Sequence, residues 1–279
     1  MKHSIKMMAA AALAVVGVSA QAAFVTDWSY TVSTQWVTAG AGAPTWTASG
    51  PGTGTQNITS SQLDWGDPNG SLSQNPNGGR SGLRILGSPQ SGVGTLATND
   101  VLNPDLVASF QHINNPISGS YATLRTASVL TTLTLTPFNP AGGQLAAQAL
   151  TFQVDFAETP NAAGTCIPEG TTTPCDDVFV LVNAGALNNS FDYDGTTYFV
   201  SFLDQQSGSL TPLSNEACAA AGAAPNCLGF WTEEGQAETI NFGLVITGQP
   251  IVIPEPGMLA LVGLGMLGAV GASRRRRQA

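Results

Sequence analysis

The sequence predicts an all-β protein: one exported β-sandwich, with a jelly-roll winding as an option, held between two short terminal segments. Three observations predict it. Short runs rich in β-branched and aromatic residues recur along the body, several alternating with period two, between turns of Gly, Pro, Asn and Asp. Charged residues are only 10% against 43% hydrophobic, so a core is available on a surface of Thr, Ser and Asn. No amphipathic helix of ten or more residues is convincing. With 279 residues and roughly 150 per domain, one large domain or two small ones fit. The reading is a signal peptide over 1–22, the sandwich over 23–250 and a terminal sorting segment over 251–279.

The body reads as eight to twelve strands. Phe24–Val37 is the first. Residues 39–57 read as a Gly/Ala/Pro/Thr loop, and 64–82, with Asp64-Trp65-Gly66-Asp67-Pro68 and Asn75-Pro76-Asn77-Gly78-Gly79, as a second loop of strong turn chemistry. A short strand follows at Leu83–Leu86. Leu106–Ile113, Ala127–Thr136 and Ala149–Phe156 come next, and the last two alternate. Asp177–Asn183 is apolar throughout. Asp194-Gly195 reads as a hairpin tip leading into Thr196–Leu203. Leu228–Thr232 and Thr239–Thr247 close the series. Leu145–Leu150 and Ser214–Ala221 are candidate short helices.

Charge is distributed unevenly. Nine Lys and Arg oppose eighteen Asp and Glu, for a net charge of −9. Lys2 and Lys6 lie at one end and Arg274, Arg275, Arg276 and Arg277 at the other, which leaves Arg80, Arg84 and Arg125 in the body. Such a body cannot neutralise a phosphate backbone, which excludes nucleic acid as a partner. Without a body lysine, Schiff-base and P-loop chemistry are excluded too.

Both ends read as targeting segments. Lys2 and Lys6 precede an apolar run over Met7–Val18, and Ala20-Gln21-Ala22 is a small-x-small cleavage site, with cleavage after Ala20 as the alternative. This implies the Sec machinery and signal peptidase as partners. At the other end Pro254-Glu255-Pro256 precedes the apolar stretch Gly257–Ala272, then Ser273 and the four arginines. Sixteen residues at about 1.5 Å rise give roughly 24 Å, slightly short of a ~30 Å hydrocarbon core, and arginines can snorkel across the difference. One C-terminal membrane-spanning helix is therefore expected. The arginines hold its end in the cytoplasm by the positive-inside rule, with the body outside. Two prolines forbid helix at the boundary and present an extended segment to a protease.

Pro-Glu-Pro, a short helix and an Arg cluster, in that order, resemble the PEP-CTERM sorting signal of Gram-negative bacteria. The resemblance implies recognition by an exosortase, cleavage near Pro254-Glu255-Pro256, and loss of the helix. Glu255 is then a substrate determinant. The implied destination is the cell envelope, surface or exopolysaccharide matrix, after transient membrane anchoring. In the body, Gln111-His112-Ile113-Asn114-Asn115-Pro116-Ile117 is similar to the hallmark of the THxN family of PEP-CTERM proteins, through His112 and Asn114. Leu63-Asp64-Trp65-Gly66, Ser81-Gly82-Leu83, Cys175-Asp176-Asp177-Val178-Phe179 and Cys227-Leu228-Gly229-Phe230 extend the likeness. Gln111 stands where that hallmark has threonine.

Four cysteines in an exported chain read as two disulfides, with three possible connectivities. The local pairs Cys166–Cys175 and Cys218–Cys227 are preferred, because each encloses a turn-rich loop. Zinc is disfavoured: there is no C-x-x-C, and His112 is the body's sole histidine.

Site candidates remain few. His112 is the one candidate base, and the plain expectation is that its ring ties down the Asn114-Asn115-Pro116 turn. No G-x-S-x-G elbow accompanies it, so no catalytic residue is expected and the chain reads as a non-enzyme. Asp176/Asp177, Asp192/Asp194 and Glu233/Glu234 are carboxylate pairs whose separations a hydrolase would need to match. No cofactor and no metal ligand are expected, with structural calcium at Asp192-x-Asp194-Gly195 the considered exception. Among Trp28, Trp36, Trp46, Trp65 and Trp231, Trp65 is the expected exposed platform for a glycan.

Overall fold

The computed structural model describes residues 23–47, 54–73, 78–86, 92–161, 166, 175–205 and 210–251. The expectations on the signal peptide and on the C-terminal helix fall outside them. No helix among the described residues is long and apolar enough to cross a membrane.

Two antiparallel sheets face each other. The strands are β1 (Asp27–Trp36), β2 (Thr45–Trp46), β3 (Thr55–Ile58), β4 (Gln62–Gly66), β5 (Arg80–Leu86), β6 (Gly92–Ala97), β7 (Asp105–Ile113), β8 (Leu124–Asn139), β9 (Gln148–Ala157), β10 (Asp177–Leu181), β11 (Asn188–Tyr193), β12 (Thr196–Asp204), β13 (Thr211–Pro212), β14 (Leu228–Thr232) and β15 (Ala237–Thr247). One sheet runs β13-β14-β10-β9-β8-β1-β6, with β2 also on β8; the other runs β11-β12-β15-β7-β5-β4-β3. The successive runs β3–β5, β8–β10 and β11–β12 each stay within one sheet as meanders, joined by crossovers.

Alternation decides which face is inside. In β1, Trp28, Tyr30, Val32 and Trp36 are buried between the sheets. They meet Val129, Leu133 and Leu135 of β8 in one continuous core with Phe152, Val154 and Phe156 of β9. Each such buried side chain stabilises by about 1.5–3 kcal/mol. At Thr131 the inward row admits a hydroxyl, which pairs at 3.2 Å with buried Thr34 across β1 and β8.

Strand β10 is buried on both faces, as an apolar run should be. Phe179 and Leu181 enter the main core; Val178 and Val180 face outward under the α-helix α1 (Asn215–Ala221). Ser214 caps α1 by accepting from the Ala217 N–H, and Gly222, at φ 83°, closes it in the left-handed region. Disulfide Cys218–Cys227 packs this helix into the outer cluster, and Cys166–Cys175 is the second bridge, so both local pairs form.

Several expectations need correction. The two presumed loops contain strands: β2 and most of β3 lie in 39–57, and most of β4 and the start of β5 in 64–82. Residues Leu145–Leu150 form no helix, since β9 starts at Gln148. The strands number fifteen among the described residues. Buried Arg80 explains why β4 and β5 hold together: its side chain pairs with the Asp64 carboxylate and donates from Nη1 to Thr55 Oγ1 at 2.6 Å and to the Asp67 carbonyl at 2.9 Å. A long-range ion pair thereby overrides the local turn chemistry.

Candidate functional site

At one end of the sandwich the inward rows stop being apolar. On β9, Phe152, Val154 and Phe156 face the core, and the same two-residue period places Glu158 next. On β10 the row Leu181, Phe179 ends in Asp177. On β7, Phe110 is followed by His112, and Asn114 continues the spacing. On β14, Phe230 is followed by Thr232, and Glu234 continues the spacing. Strand pairing brings these ends together: Asp177 faces Thr232, and His112 faces Glu238 of β15. Five strands from both sheets thus collect a polar cluster at the rim of a common core.

The cluster is deeply shielded. His112 and Asp177 are each 1% exposed, and His112 Nε2 lies 3.8 Å from Asp177 Oδ2. That is too long for a hydrogen bond. Burial lowers the His112 imidazole to about 3, and burial plus the Glu158 carboxylate raises Asp177 well above its usual range. The imidazole is therefore neutral at pH 7, and burial disfavours the charged form of Asp177. Thr159 opposes the rise on Asp177 by donating its backbone N–H to Oδ1 at 2.8 Å. Phe156 meets the imidazole edge-on at 5.0 Å between ring centroids.

Glu158 receives the indole N–H of Trp65 at 2.9 Å, a bond that favours its charge. Burial outweighs it and lifts Glu158 to about 8, with Glu234 adding like-charge repulsion. Glu234 itself rises to about 7 through burial and the neighbouring Asp176. Asn114 pins the following chain: Nδ2 donates to the Thr232 carbonyl at 2.9 Å, and its backbone bonds Gly235 and Gln236. Buried polar atoms with no hydrogen-bond partner converge on this region from separate elements. They include both His112 nitrogens, Asn114 Oδ1, Glu158 Oε1, Asp177 Oδ2, Thr232 Oγ1 and both Glu234 oxygens.

A surface pocket of about 340 Å³ opens beside the cluster, lined in part by Asp176, Trp231, Thr232, Glu233, Gln236 and Glu238. A second cavity lies deeper between the sheets; it is apolar, about 40 Å³, and lined by Phe110, Phe152, Phe179, Phe230 and their neighbours.

The structure gathers His112, Asn114, Trp65, Asp176, Asp177, Glu233 and Glu234 at this end. Two expectations fail here. Trp65 is not an exposed platform: it is 0% exposed on β4, with its ring against Trp46 and Phe156 and its N–H spent on Glu158. It has no face left for a sugar. The His112 ring does not tie down the following turn; Asn115 does, bonding Ser73 and Arg80 carbonyls at 2.7 and 2.8 Å. Asp192 and Asp194 lie apart from the cluster, on the β11–β12 hairpin. There Asp192 accepts from Thr197 at 2.6 Å, and Asp194 takes φ 52° at the tip. Among the described residues no three His, Cys, Asp or Glu side chains are grouped to hold a metal ion. Glu158 was missed by sequence reasoning. Its signal was present, because Phe152-x-Val154-x-Phe156-x-Glu158 continues one inward row.

The PEP-CTERM protein-sorting motif family matches residues 252–277. That motif implies exosortase-dependent sorting of a secreted protein, processed at the cell envelope with exosortase as the processing partner. No curated protein matches the chain.

Proposed function

We propose that the chain is a non-enzymatic structural protein of the cell surface or exopolysaccharide matrix. Export through the Sec machinery with removal of residues 1–22 delivers it, and exosortase cleaves it at Pro254-Glu255-Pro256. The supporting observation is how the sorting motif joins the sandwich. The last strand, β15, ends at Thr247, and the Ile251 carbonyl accepts from Asn188 Nδ2 at 3.2 Å. The motif starts at the next residue. A cut at 254–256 therefore leaves every described strand in place, and the sandwich keeps both disulfides. The two bridges suit an oxidising compartment. The resemblance to the THxN family, through His112 and Asn114, fits a packing role, since both side chains are buried.

Mass spectrometry of the C-terminus tests this. In exosortase-positive cells the mature chain is expected to end near Pro254-Glu255-Pro256, and in exosortase-deficient cells to retain Arg277. Full-length chain in both would remove the sorting proposal.

A second reading, a carbohydrate-binding module, draws support from the pocket beside half-buried Trp231. Trp231 there takes the part expected of Trp65. An aromatic wall with nearby carboxylate and amide groups suits sugar stacking and hydroxyl bonding.

A further inference from the structure

We propose that, in the uncut precursor, one end of the sandwich rests on a zwitterionic phospholipid surface through its exposed apolar side chains. It is the end from which residues 1–22 and the sorting motif both leave. The inference rests on the sorting reading above, because it takes 257–272 as the membrane-held segment.

The backbone joins the two exits. The Thr26 carbonyl accepts from the Thr98 N–H at 2.7 Å, and the Ile246 carbonyl accepts from the Asn99 N–H at 2.8 Å. Asn99 Oδ1 accepts from the Gly248 N–H at 2.9 Å. Phe24 packs over Gly248, its ring 3.1 Å from where a Cβ would stand. The connection between β6 and β7 thereby ties the start of the described chain to the segment before the motif. Exposed apolar side chains collect around this point. Leu102 is 87% exposed, Val101 is exposed beside it, and Leu106 is exposed at the start of β7. Phe24 is exposed too. Phe138, 60% exposed, adjoins Asn139, whose carbonyl accepts from the Thr26 N–H at 2.8 Å. These are five of the seven exposed large hydrophobic side chains among the described residues, so the apolar surface is concentrated at this end.

Chain length selects the occupant. Only 252–256 separate the described chain from the apolar stretch 257–272, and fully extended they reach about 20 Å. A bilayer holding that stretch keeps this end of the sandwich within that distance of its surface. Strand β7 has nine residues, about 30 Å at strand rise, and His112 and its partner Glu238 stand at its far end. The Trp231 pocket, which Glu238 lines, therefore points away from the lipid. Charge selects the headgroup. Asp27, Asp100 and Asp105 lie near the exits, whereas Arg80 and Arg84 are on β5 and Arg125 is at the opposite end of β8 from Phe138. An anionic lipid would meet like charge. The tether makes docking intramolecular, so a weak contact surface suffices, and a cut at Pro254-Glu255-Pro256 ends it.

Hydrogen exchange read by mass spectrometry tests this on residues 23–279 reconstituted in phosphatidylcholine vesicles, with the released, cut chain as the comparison. Exchange over 99–104 is expected to slow about tenfold in the vesicle-held chain. Exchange over 233–238, beside the Trp231 pocket, should match the released chain. Leu102→Asp, alone and with Phe138→Ser, should abolish the slowing while the chain still floats with the vesicles. Both side chains are exposed, so the fold tolerates the changes. Adding phosphatidylglycerol to the vesicles should reduce the slowing. Unslowed exchange over 99–104 in a chain that floats overturns the docking inference and leaves the sorting reading standing. Slowing that survives the double substitution also overturns it. A chain that does not float overturns the membrane-held segment and the inference together. Slowing in the released chain that grows with its concentration overturns the inference by naming a second copy, and slowing that requires added exosortase does so by naming that enzyme.

Discussion

Trp65 carries two loads at once. Its ring fills the core between Trp46 and Phe156, and its indole N–H is the donor to Glu158. Trp65→Ala should cost about 3–5 kcal/mol of unfolding free energy in urea titrations. Trp65→Phe keeps most of the packing and removes only the donor, so it should cost less. Arg80 is the second such residue. Its guanidinium is buried against Asp64, and Arg80→Met leaves that carboxylate buried without a counter-charge, with only the Asn57 and Gln62 amides as side-chain donors, for about 3–5 kcal/mol. A loss under about 1 kcal/mol would show that water reaches Asp64 in the variant. Neither role was legible locally. Trp65 sits in Asp64-Trp65-Gly66-Asp67-Pro68, which reads as a turn, and its partner Glu158 is 93 residues away. Only the fold tells an exposed aromatic from a buried one there.

Elements with strong local pattern were legible, and elements defined by partners were not. Strand β14 coincides with the expected Leu228–Thr232, and Asp194-Gly195 turns the β11–β12 hairpin at φ 52° and 80°. Their alternation and turn residues are self-contained signals. By contrast β3 is exposed along its length and β6 is rich in glycine, so neither shows a hydrophobic face; each is a strand because a neighbour supplies its hydrogen bonds. Helix α1 combines the two cases. Ser214 announces its start, but its purpose lies in covering Val178 and Val180 of β10. The Cys218–Cys227 bridge encloses eight residues and fastens that cover. Replacing both cysteines by alanine should lower stability by about 2–3 kcal/mol, read by denaturation. Tryptophan emission from Trp231, which packs on the same cluster, should shift to the red before the main core unfolds.

At the scale of the whole molecule, the cluster at the rim sets the direction of the pH response. Glu158, Glu234 and Asp177 titrate higher in the folded chain than their ordinary 4.5, 4.5 and 3.8, with Glu158 near 8 and Glu234 near 7. Between those limits the folded chain keeps protons that the unfolded chain has released. Their contribution is complete below the ordinary values and is lost as pH rises toward 7–8. His112 works the other way. It falls from 6.5 to about 3 on burial, so its contribution is present above 6.5 and is lost as pH falls toward 3. From 4.5 to 6.5 Glu158 and Glu234 oppose one histidine, with Asp177 shifted in the same direction as they are, and the acids prevail. Above 6.5 the histidine adds no slope and the acids continue to lose. The melting temperature should therefore be higher at about pH 5 than at about pH 8, whereas most proteins are near their maximum between those values. Glu158→Gln keeps an acceptor for Trp65 and removes one titrating group, so it should flatten the decline and gain stability chiefly at the alkaline end. Calorimetric scans of both chains across this range decide the matter. A wild-type melting temperature that climbs from pH 5 to 8 would mean that the cluster is ionised in the folded protein, which demands a compensating positive charge at the rim.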